Sequence, residues 1–271
     1  MTLNATGWCA DVKILRRMVL LAAGILACAS ASAATWAPGA NDPFDIQLTA
    51  PFQLSRVEGT VALGLDDTSP SRVQELKTRG VRTVCVVNAG AWENWRSDSG
   101  AFDQRLIGAN FAGWPGERWL DIRAQEQLRP IMARRLDLCA AKGFDGVLLR
   151  NVDGYTHRTG FPLTAADQLA YNRWLAMEAR ARDLAVGIMN ALELGPELVD
   201  DIDYVVSEGC FDREQCGATS VYRQRDRAVY VVEYTNVRRK MDAFCAEAGD
   251  LDLQLIFKTQ SLNGKIHRRC P

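Results

Sequence analysis

Eight short β-rich runs alternate with helical stretches along this chain, and this alternation limits its possible folds more than any other feature. The predicted strands are Phe44–Leu48, Thr60–Leu65, Arg82–Val87, Gly146–Leu149, Val186–Met189, Tyr204–Ser207, Val229–Tyr234 and Gln254–Phe257. Several are continuous apolar runs, which are typical of parallel strands buried on both faces. Strands that alternate with helices build βα units. Eight such units predict an α/β fold, a single (β/α)8 TIM barrel.

An open, doubly wound sheet is the competing architecture for this pattern. The Gly-rich dinucleotide loop that usually marks such a sheet is absent from the sequence. A count of eight strands also favours closure into a barrel. No Pro/Gly/Ser-rich linker, low-complexity tract or internal repeat divides residues 34–271. We therefore expect one barrel domain over residues 34–271.

Two of the predicted helices have clear sequence signals. One runs from Pro130 to Lys142 and ends before a glycine. Another begins at Thr164, which forms a capping-box pattern with Asp167. A stripe at helical spacing in this second helix predicts the face that packs on the sheet: Ala166, Ala170, Trp174 and Met177.

The first 33 residues have the organisation of an export signal. Lys13, Arg16 and Arg17 precede an apolar run, and residues 31–33 (Ala-Ser-Ala) offer a small-x-small cleavage site. The apolar run is shorter than the roughly 20 residues of a membrane-crossing helix. We predict a signal peptide over residues 1–33 and a periplasmic or secreted protein. A lipoprotein anchored through Cys28 is an alternative, because residues 25–28 resemble a lipoprotein processing site.

Six cysteines follow residue 33, and an even number favours disulfides in an exported chain. Cys210 and Cys216 would enclose a short loop, Cys245 and Cys270 would fix the C-terminal segment, and Cys85 and Cys139 are the two cysteines that remain. The predicted pairs are Cys210–Cys216, Cys245–Cys270 and Cys85–Cys139. No C-x2-C spacing exists and the chain has 2 histidines, so we expect no zinc site, no other metal and no cofactor.

The predicted mature chain is close to neutral. Loss of residues 1–33 reduces Lys+Arg from 32 to 29 and Asp+Glu from 33 to 32, which leaves a net charge of −3. A nucleic-acid-binding protein usually has a basic surface, so this balance argues against a nucleic-acid partner. It is compatible with a cleft for a cationic polymer. We expect a monomer.

In a (β/α)8 barrel the functional side chains lie at the C-terminal ends of the strands and in the loops that follow. Here these positions hold carboxylates, amides, aromatics and a few cations: Asp66, Asp67, Asn88, Glu93, Trp95, Arg96, Arg150, Asn151, Asp153, Tyr155, Asn190, Glu208, Glu233, Tyr234 and Lys258. Cleavage of a glycosidic bond needs one carboxyl group as acid and another as base or nucleophile. Aromatic faces stack on sugar rings. The set therefore predicts a carbohydrate cleft.

Single members of this set also have simpler explanations. Asp67 alone is typical of a helix cap or a turn, and Glu93 is well spaced to pair with Arg96. Glu208 is harder to explain structurally, because it follows a buried strand and precedes the predicted disulfide loop. We therefore assign Glu208 a functional role.

Six segments in order along the chain carry a family resemblance. They are residues 88–98 (NAGAWENWRSD), 113–122 (GWPGERWLDI), 143–147 (GFDGV), 151–155 (NVDGY), 208–210 with Cys216, and 233–234 (EY). On these motifs the chain resembles glycoside hydrolase family 114, the endo-α-1,4-polygalactosaminidases. The resemblance implies a TIM barrel, secretion and cleavage of α-1,4-linked galactosamine, a cationic polysaccharide.

The resemblance also indicates where the catalytic carboxyl groups belong. In the family the motif at 150–153 normally reads Asp-Asn-x-Asp, and its first Asp is catalytic; this chain has Arg150 there. The second catalytic carboxylate is retained as Glu208. Gly64 and Met189 stand where the family usually has an Asp and a Lys. The active site is therefore expected to be altered.

Arg150 is not a neutral replacement for a carboxylate. A guanidinium stays charged, and it neither accepts a proton nor attacks a sugar carbon. Beside Glu208 it would lower the pKa of that carboxyl, the wrong direction for a general acid, and it would repel a cationic polymer. The simpler interpretation is a structural ion pair of Arg150 with Asp153 or Glu208.

Two functional hypotheses follow. The favoured one is an exported hydrolase in which Glu208 works with Asp153 or Glu233. The residues expected to bind its substrate are Asp67, Glu93, Trp95, Arg96, Arg150, Asn151, Tyr155, Asn190 and Tyr234. The alternative is an inactive, polysaccharide-binding pseudoenzyme. An unrelated barrel enzyme acting on phosphorylated or metal-bound substrates is disfavoured, because phosphate-binding glycines and metal-ligating histidines are missing.

Overall fold

The computed structural model describes residues 36–236 and 241–270, which form an α/β fold. The predicted signal peptide and Cys28 lie outside the described residues. The strands are β1 (Phe44–Gln47), β2 (Thr60–Gly64), β3 (Arg82–Asn88), β4 (Ala91–Glu93), β5 (Ile107–Asn110), β6 (Glu117–Leu120), β7 (Gly146–Arg150), β8 (Ala185–Met189), β9 (Tyr204–Glu208), β10 (Ala228–Tyr234), β11 (Gln254–Lys258) and β12 (Arg268–Arg269). The α-helices are α1 (Pro70–Thr78), α2 (Gln125–Ala141), α3 (Ala165–Arg180), α4 (Gly195–Leu198), α5 (Ser220–Arg223) and α6 (Met241–Asp250).

The main sheet contains all eight predicted strands, and each lies within one residue of its predicted ends. Its order is β1-β2-β3-β7-β8-β9-β10-β11, with every neighbouring pair parallel, and β12 adds an antiparallel edge to β11. Helices connect most of these strands, as parallel neighbours require. The predicted α/β barrel fold is confirmed.

The first and last parallel strands, β1 and β11, meet at a seam that side chains and a following loop hold together. The Leu48 N–H donates to the Leu262 carbonyl at 2.7 Å, and Thr49 forms an isolated bridge with Asn263. Within the strands, the fully buried ammonium of Lys258 lies 2.7 Å from Asp45 Oδ1. The sheet therefore curls until its two ends meet, without a continuous backbone ladder across the seam.

The segment of the chain between β3 and α2 forms a small second sheet. It is antiparallel, in the order β4-β6-β5, and we call it the cap sheet. Because β4 begins three residues after the end of β3, the cap sheet stands at the C-terminal ends of the barrel strands. Its register places Glu93 opposite Glu117. The cap sheet thus brings two carboxyl groups to the mouth of the barrel.

The alternation of side chains along each strand divides the apolar residues into two cores. One core lies inside the barrel, where Phe44 stacks on Tyr230 with ring centroids 4.3 Å apart. The other lies between the sheet and the surrounding helices and is the larger of the two. On β3, for example, Val84 and Val86 belong to the inner core and Cys85 and Val87 to the outer one.

Both helix predictions need a correction. Helix α2 begins at Gln125, five residues before the predicted start at Pro130, and this proline lies inside the helix. Proline lacks the N–H that would bond to the carbonyl four residues earlier, so α2 tolerates one missing hydrogen bond near its start.

The capping box at the start of α3 is confirmed, but its predicted buried stripe is wrong. Of the four predicted residues only Trp174 is buried, and Met177 is 62% exposed. The helix instead buries the face that includes Gln168, Tyr171 and Asn172. Polar residues are tolerated on this face because Gln168 donates to Asn172, which donates to the Val152 carbonyl at 3.0 Å.

All three predicted disulfides are present. Cys85 of β3 bonds Cys139 of α2, Cys210 bonds Cys216, and Cys245 of α6 bonds Cys270. The first joins a central strand to the helix packed on it, and the second closes the loop that follows β9. Across residues 36–236 and 241–270, no helix combines the length and the apolar content needed to cross a membrane.

Lys258 should be essential for stability because it neutralises a buried carboxylate at the seam. Burial acts to raise the pKa of Asp45, but the hydrogen bond from His267 and the charge of Lys258 outweigh it and hold this pKa below its usual value. Removing Lys258 would leave Asp45 largely uncompensated. We expect Lys258→Met to lower the free energy of unfolding by about 3–5 kcal/mol in denaturant titrations.

The control is Asp103→Asn, which removes an exposed ion pair with Arg105 and should leave the unfolding midpoint unchanged. Because the folded pKa of Asp45 is lowered, its stabilising contribution is present above its unfolded pKa and is lost as the pH falls through the folded value. A Lys258→Met protein as stable as the wild type at neutral pH would contradict this role for the seam.

Candidate active site

A cleft of about 1040 Å³ opens at the C-terminal ends of the barrel strands. This volume is at the upper end of the range for small-molecule sites, so the cleft has room for more than a single sugar ring. Most of the predicted site residues line it: Asp67, Glu93, Trp95, Arg96, Arg150, Asn151, Asp153, Asn190, Glu208 and Tyr234.

Two of the residues predicted to catalyse the reaction or to bind substrate lie elsewhere, and of the wider set at the strand ends Lys258 lies at the seam. Glu233 is fully buried on the outer side of β10, where its Oε1 accepts hydrogen bonds from the backbone N–H groups of Phe211 (2.8 Å) and Asp212 (3.4 Å). Tyr155 packs against the core between the sheet and the helices. The contacts of Glu233 place it under the disulfide loop that follows β9, so it supports the cleft wall from behind.

Glu208 ends β9 and points into the cleft, where three neighbours hold it. Its N–H donates to Asn190 Oδ1 at 2.9 Å, and its backbone carbonyl accepts a hydrogen bond from Arg213. The Tyr234 hydroxyl donates to Glu208 Oε1. Burial, followed by the negative charge of Glu208, raises the pKa of Tyr234, so the phenol keeps its proton and remains a donor. This donor fixes the orientation of the Glu208 carboxyl group in the cleft.

Asn190 reaches Glu208 because its backbone is in the left-handed region, with φ of +63°. Asparagine tolerates this conformation better than most residues. The bend at the end of β8 turns the Asn190 amide toward the neighbouring strand. The amide that was expected to bind substrate is therefore also a fixed support for the Glu208 backbone.

Arg150 ends β7 and lines the cleft without a carboxylate partner. Within the described part of the chain, neither Asp153 nor Glu208 lies within the 4.0 Å of an ion pair with its guanidinium. Its Nε is buried and has no hydrogen-bond acceptor there. The structural ion pair considered from the sequence is not formed, so a cation without a counter-ion faces the site.

Asp153, two residues beyond Asn151, lies beside a histidine that the sequence gave no reason to select. Its Oδ2 is 3.5 Å from His157 Nε2, and this contact is the main cause of a raised pKa for His157. The His157 ring also stacks on Trp119, with centroids 4.8 Å apart. Asp153 is therefore paired with a side chain that becomes a cation under mildly acidic conditions.

Arg96 is saturated by carboxylates. Its guanidinium bonds both oxygens of Glu93, at 2.6 and 3.2 Å, and Asp66 Oδ2 at 2.6 Å. The pairing of Glu93 with Arg96, one of the two interpretations of these residues, is present in the structure. Their charges largely cancel, and the pair joins the cap sheet to the loop that follows β2.

Glu117 lines the cleft but was not predicted, because only residues at or just after the ends of the barrel strands were selected from the sequence. It begins β6 of the cap sheet and is 4% exposed. Its Oε1 accepts hydrogen bonds from Asn88 Nδ2 at 2.7 Å and from Asn151 Nδ2 at 2.8 Å. Burial is the main cause of a raised pKa for this carboxyl. The only sequence signal was its place within the motif at residues 113–122.

Two large aromatic side chains stand exposed at the edge of the cleft. Trp95 is 52% exposed and Trp114 is 47% exposed, and both line the cleft. Exposed indole rings provide flat apolar faces on which a ligand can stack. They are placed to contact a ligand that extends beyond the central pocket.

The family model of glycoside-hydrolase family GH114 matches residues 26–270. The chain belongs to this family. The resemblance recognised from the motifs is thereby confirmed, and the cleft at the strand ends is that of a GH114 glycoside hydrolase.

Known structures agree with this assignment. Aspergillus fumigatus Ega3, crystallised in complex with galactosamine, is 30% identical and has a TM-score of 0.81, with 88% of this chain and 99% of that chain covered. The glycoside hydrolase domain of PelA from Pseudomonas aeruginosa, at 15% identity, shares the fold with a TM-score of 0.66 over 83% and 97% of the two chains. An uncharacterised Deinococcus radiodurans protein is 25% identical over 223 residues, which are 72% of this chain and 67% of that protein.

The buried position of Glu233 predicts different outcomes for two substitutions. Burial raises the pKa of Glu233, so its charged form costs stability in the folded state as the pH rises above the unfolded pKa. Glu233→Gln keeps an acceptor for the loop and should retain wild-type stability. Glu233→Ala removes that acceptor and leaves a cavity, so we expect a loss of about 2–4 kcal/mol in chemical denaturation. Equal stability of the two variants would contradict this structural role.

Proposed function

We propose that this GH114 member hydrolyses a galactosamine-type polysaccharide in the strand-end cleft, with Glu208 as one of its two working carboxyl groups. The observation that carries the proposal is the position of Glu208, at the end of a barrel strand, inside the cleft and hydrogen-bonded by Tyr234. The family assignment and the galactosamine complex of Ega3 support the substrate class.

The charge of the cleft is consistent with a cationic substrate. Among the described residues that line it, the carboxyl groups outnumber the guanidinium groups by six to three. The acidic members are Asp67, Glu93, Glu117, Asp153, Glu193 and Glu208, and the basic members are Arg96, Arg150 and Arg213. A cleft with excess negative charge concentrates cations and accelerates their encounter with the site.

Hydrolysis requires a second carboxyl group, which the sequence pattern assigned to Asp153 or Glu233. Asp153 lines the cleft, whereas Glu233 lies behind the cleft wall. The ends of β7 and β9 are separated by one strand, which corresponds to about 10 Å between their backbones. Asp153 and Glu208 line the same cleft, and glycosidases use a separation of about 5–9.5 Å between their two carboxyl groups.

Arg150 supports a second candidate function, the binding of a glycan without turnover. The resemblance places a catalytic Asp at this position, and the guanidinium found there has no counter-ion in the described residues. Such a cation would repel the amine of a galactosamine unit at that subsite. The two functions make opposite predictions for the wild-type protein.

We also propose that the protein is exported. Three disulfides join pairs of cysteines in the barrel domain, and disulfides persist in oxidising compartments. The export signal predicted over residues 1–33 would deliver the chain to such a compartment. Detection of the mature chain beginning at residue 34, by N-terminal sequencing of the exported protein, is the expected outcome.

The decisive assay measures new reducing ends after the barrel domain is incubated with de-N-acetylated, α-1,4-linked galactosamine polymer. We expect product from the wild type and a loss of at least about a hundredfold in Glu208→Gln. Glu126→Gln, an identical change at an exposed position of α2, is the control and should keep full activity. If the wild type is silent and Arg150→Asp releases product, the chain is a pseudoenzyme whose lost carboxylate has been restored.

Trp95 should act through binding alone, because its ring is exposed where it lines the cleft and has no group that can take part in acid–base chemistry. We expect Trp95→Ala to raise KM for the polymer about tenfold while kcat stays within about twofold of the wild type. Steady-state kinetics on long polymer measures both parameters. A loss confined to kcat would exclude a stacking role for this residue.

A further inference from the structure

Glu117 and Glu93 reach the cleft from the cap sheet and not from a barrel strand. The Glu117 side chain reaches the ends of β3 and β7 at once, through hydrogen bonds with Asn88 and Asn151. Asn151 directly follows Arg150. The Glu117 carboxyl group therefore lies next to the end of β7, where this chain has Arg150 in place of the catalytic Asp that the family resemblance predicts.

The two oxygens of Glu117 have different surroundings. Oε1 accepts both amide hydrogen bonds, at 2.7 and 2.8 Å. Oε2 has no hydrogen-bond donor among the described residues. It is also not fully buried. Since Glu117 lines the cleft, Oε2 is the oxygen accessible from it. A proton on this carboxyl would reside on Oε2 and face the ligand.

The amides fix this orientation tightly. Asn88 Oδ1 accepts hydrogen bonds from Asn151 Nδ2 and from the Ala91 N–H, both at 3.0 Å, so each amide has a defined rotation. Asn151 adopts a left-handed backbone with φ of +59°, which turns its side chain toward the cap sheet. The backbone opposite is Gly90, where an added Cβ would lie 1.7 Å from the Asn151 carbonyl oxygen. The close packing leaves Glu117 little freedom.

Glu117 and Glu208 are held by different kinds of contact. Burial is the largest effect on Glu117 and raises its pKa, against the lowering effect of the hydrogen bond from Asn88. The nearby charge of Glu93 also raises this pKa, and Arg150 and Asn151 lower it to a smaller extent. Glu208, in contrast, ends a barrel strand, and its Oε1 accepts a hydrogen bond from the Tyr234 hydroxyl. Two carboxyl groups held in different protonation states are the requirement for acid–base cleavage of a glycoside.

We propose that Glu117 is the proton donor of the hydrolysis, in the role that Arg150 cannot perform. This inference rests on the proposed function. As the bond between the anomeric carbon and the glycosidic oxygen breaks, the Glu117 Oε2 proton passes to that oxygen. The Glu208 carboxylate stabilises the anomeric centre or assists the incoming water. One water is consumed, its hydroxyl ends on the anomeric carbon, and its remaining proton restores the carboxyl groups to their starting states.

Three other cleft carboxyl groups are less suited to donate a proton, and a fourth, Glu193, is exposed. Asp153 lies 3.5 Å from His157, and this contact is the main cause of the raised pKa of the histidine, so the Asp153 carboxyl group already has a partner. Both Glu93 oxygens are bonded to Arg96. The Asp67 side chain is 54% exposed and stands at the outer side of the cleft. Glu117 alone among these five combines burial, a fixed orientation and an unpartnered oxygen.

The test compares Glu117→Gln with wild type on two substrates. On galactosamine polymer, whose leaving group needs a proton, we expect a loss of about a hundredfold to ten-thousandfold in kcat. On a galactosamine oligosaccharide with a dinitrophenyl leaving group, which departs without protonation, the variant should remain within about tenfold of wild type. Glu126→Gln, exposed on α2, should match the wild type on both substrates. Glutamine can still accept the two amide hydrogen bonds, so an unchanged melting temperature is expected.

A pH profile provides a second readout that a structural role would not produce. The wild-type rate on polymer should fall as the pH rises through the raised pKa of Glu117, because the acid form is lost, and Glu117→Gln should lack this alkaline limb. An active wild type with an equally active Glu117→Gln, or equal losses on both substrates, overturns the inference and leaves the proposed function standing. A wild type inactive on both substrates overturns both.

Discussion

The alternation of side chains along parallel strands decides what this cleft contains. Successive residues of a strand point to opposite faces, so the last residue facing inward on each strand reaches the barrel mouth. The last inward-facing residues of β7, β9 and β10 are Arg150, Glu208 and Tyr234, and all three line the cleft. Glu233 precedes Tyr234 and must point outward, which places it beneath the disulfide loop. Adjacent polar residues at a strand end therefore serve different parts of the molecule.

Buried carboxyl groups have three different roles in this fold, set by their partners. Asp45 is balanced by the buried ammonium of Lys258 and helps to close the seam. Glu233 receives backbone N–H groups and supports a loop. Glu117 receives two amides and leaves one oxygen to the cleft. Because only the first has a cation within ion-pair distance among the described residues, the other two have raised pKa values.

The elements that are governed by local pattern were predicted well. The eight strands follow from short β-rich runs, several of them continuously apolar, and the capping box of α3 follows from Thr164 and Asp167. The buried face of α3 was predicted wrongly because apolarity was taken as the sign of burial. Gln168 and Asn172 can be buried because each has a hydrogen-bond partner. The partner of the Asn172 amide is the Val152 carbonyl, which is 20 residues away in sequence and cannot be predicted from the local pattern.

The sequence by itself determined the strand order along the chain, the disulfide partners, the family and the presence of Glu208 at a strand end, because each depends on local pattern or on a shared motif. Only the tertiary structure decided which polar residues meet. The separation of Glu233 from the cleft depends on strand alternation, and the arrival of Glu117 beside Arg150 depends on the folding of a cap sheet across the barrel mouth. Contacts between residues distant in sequence arise from packing, which no local pattern encodes.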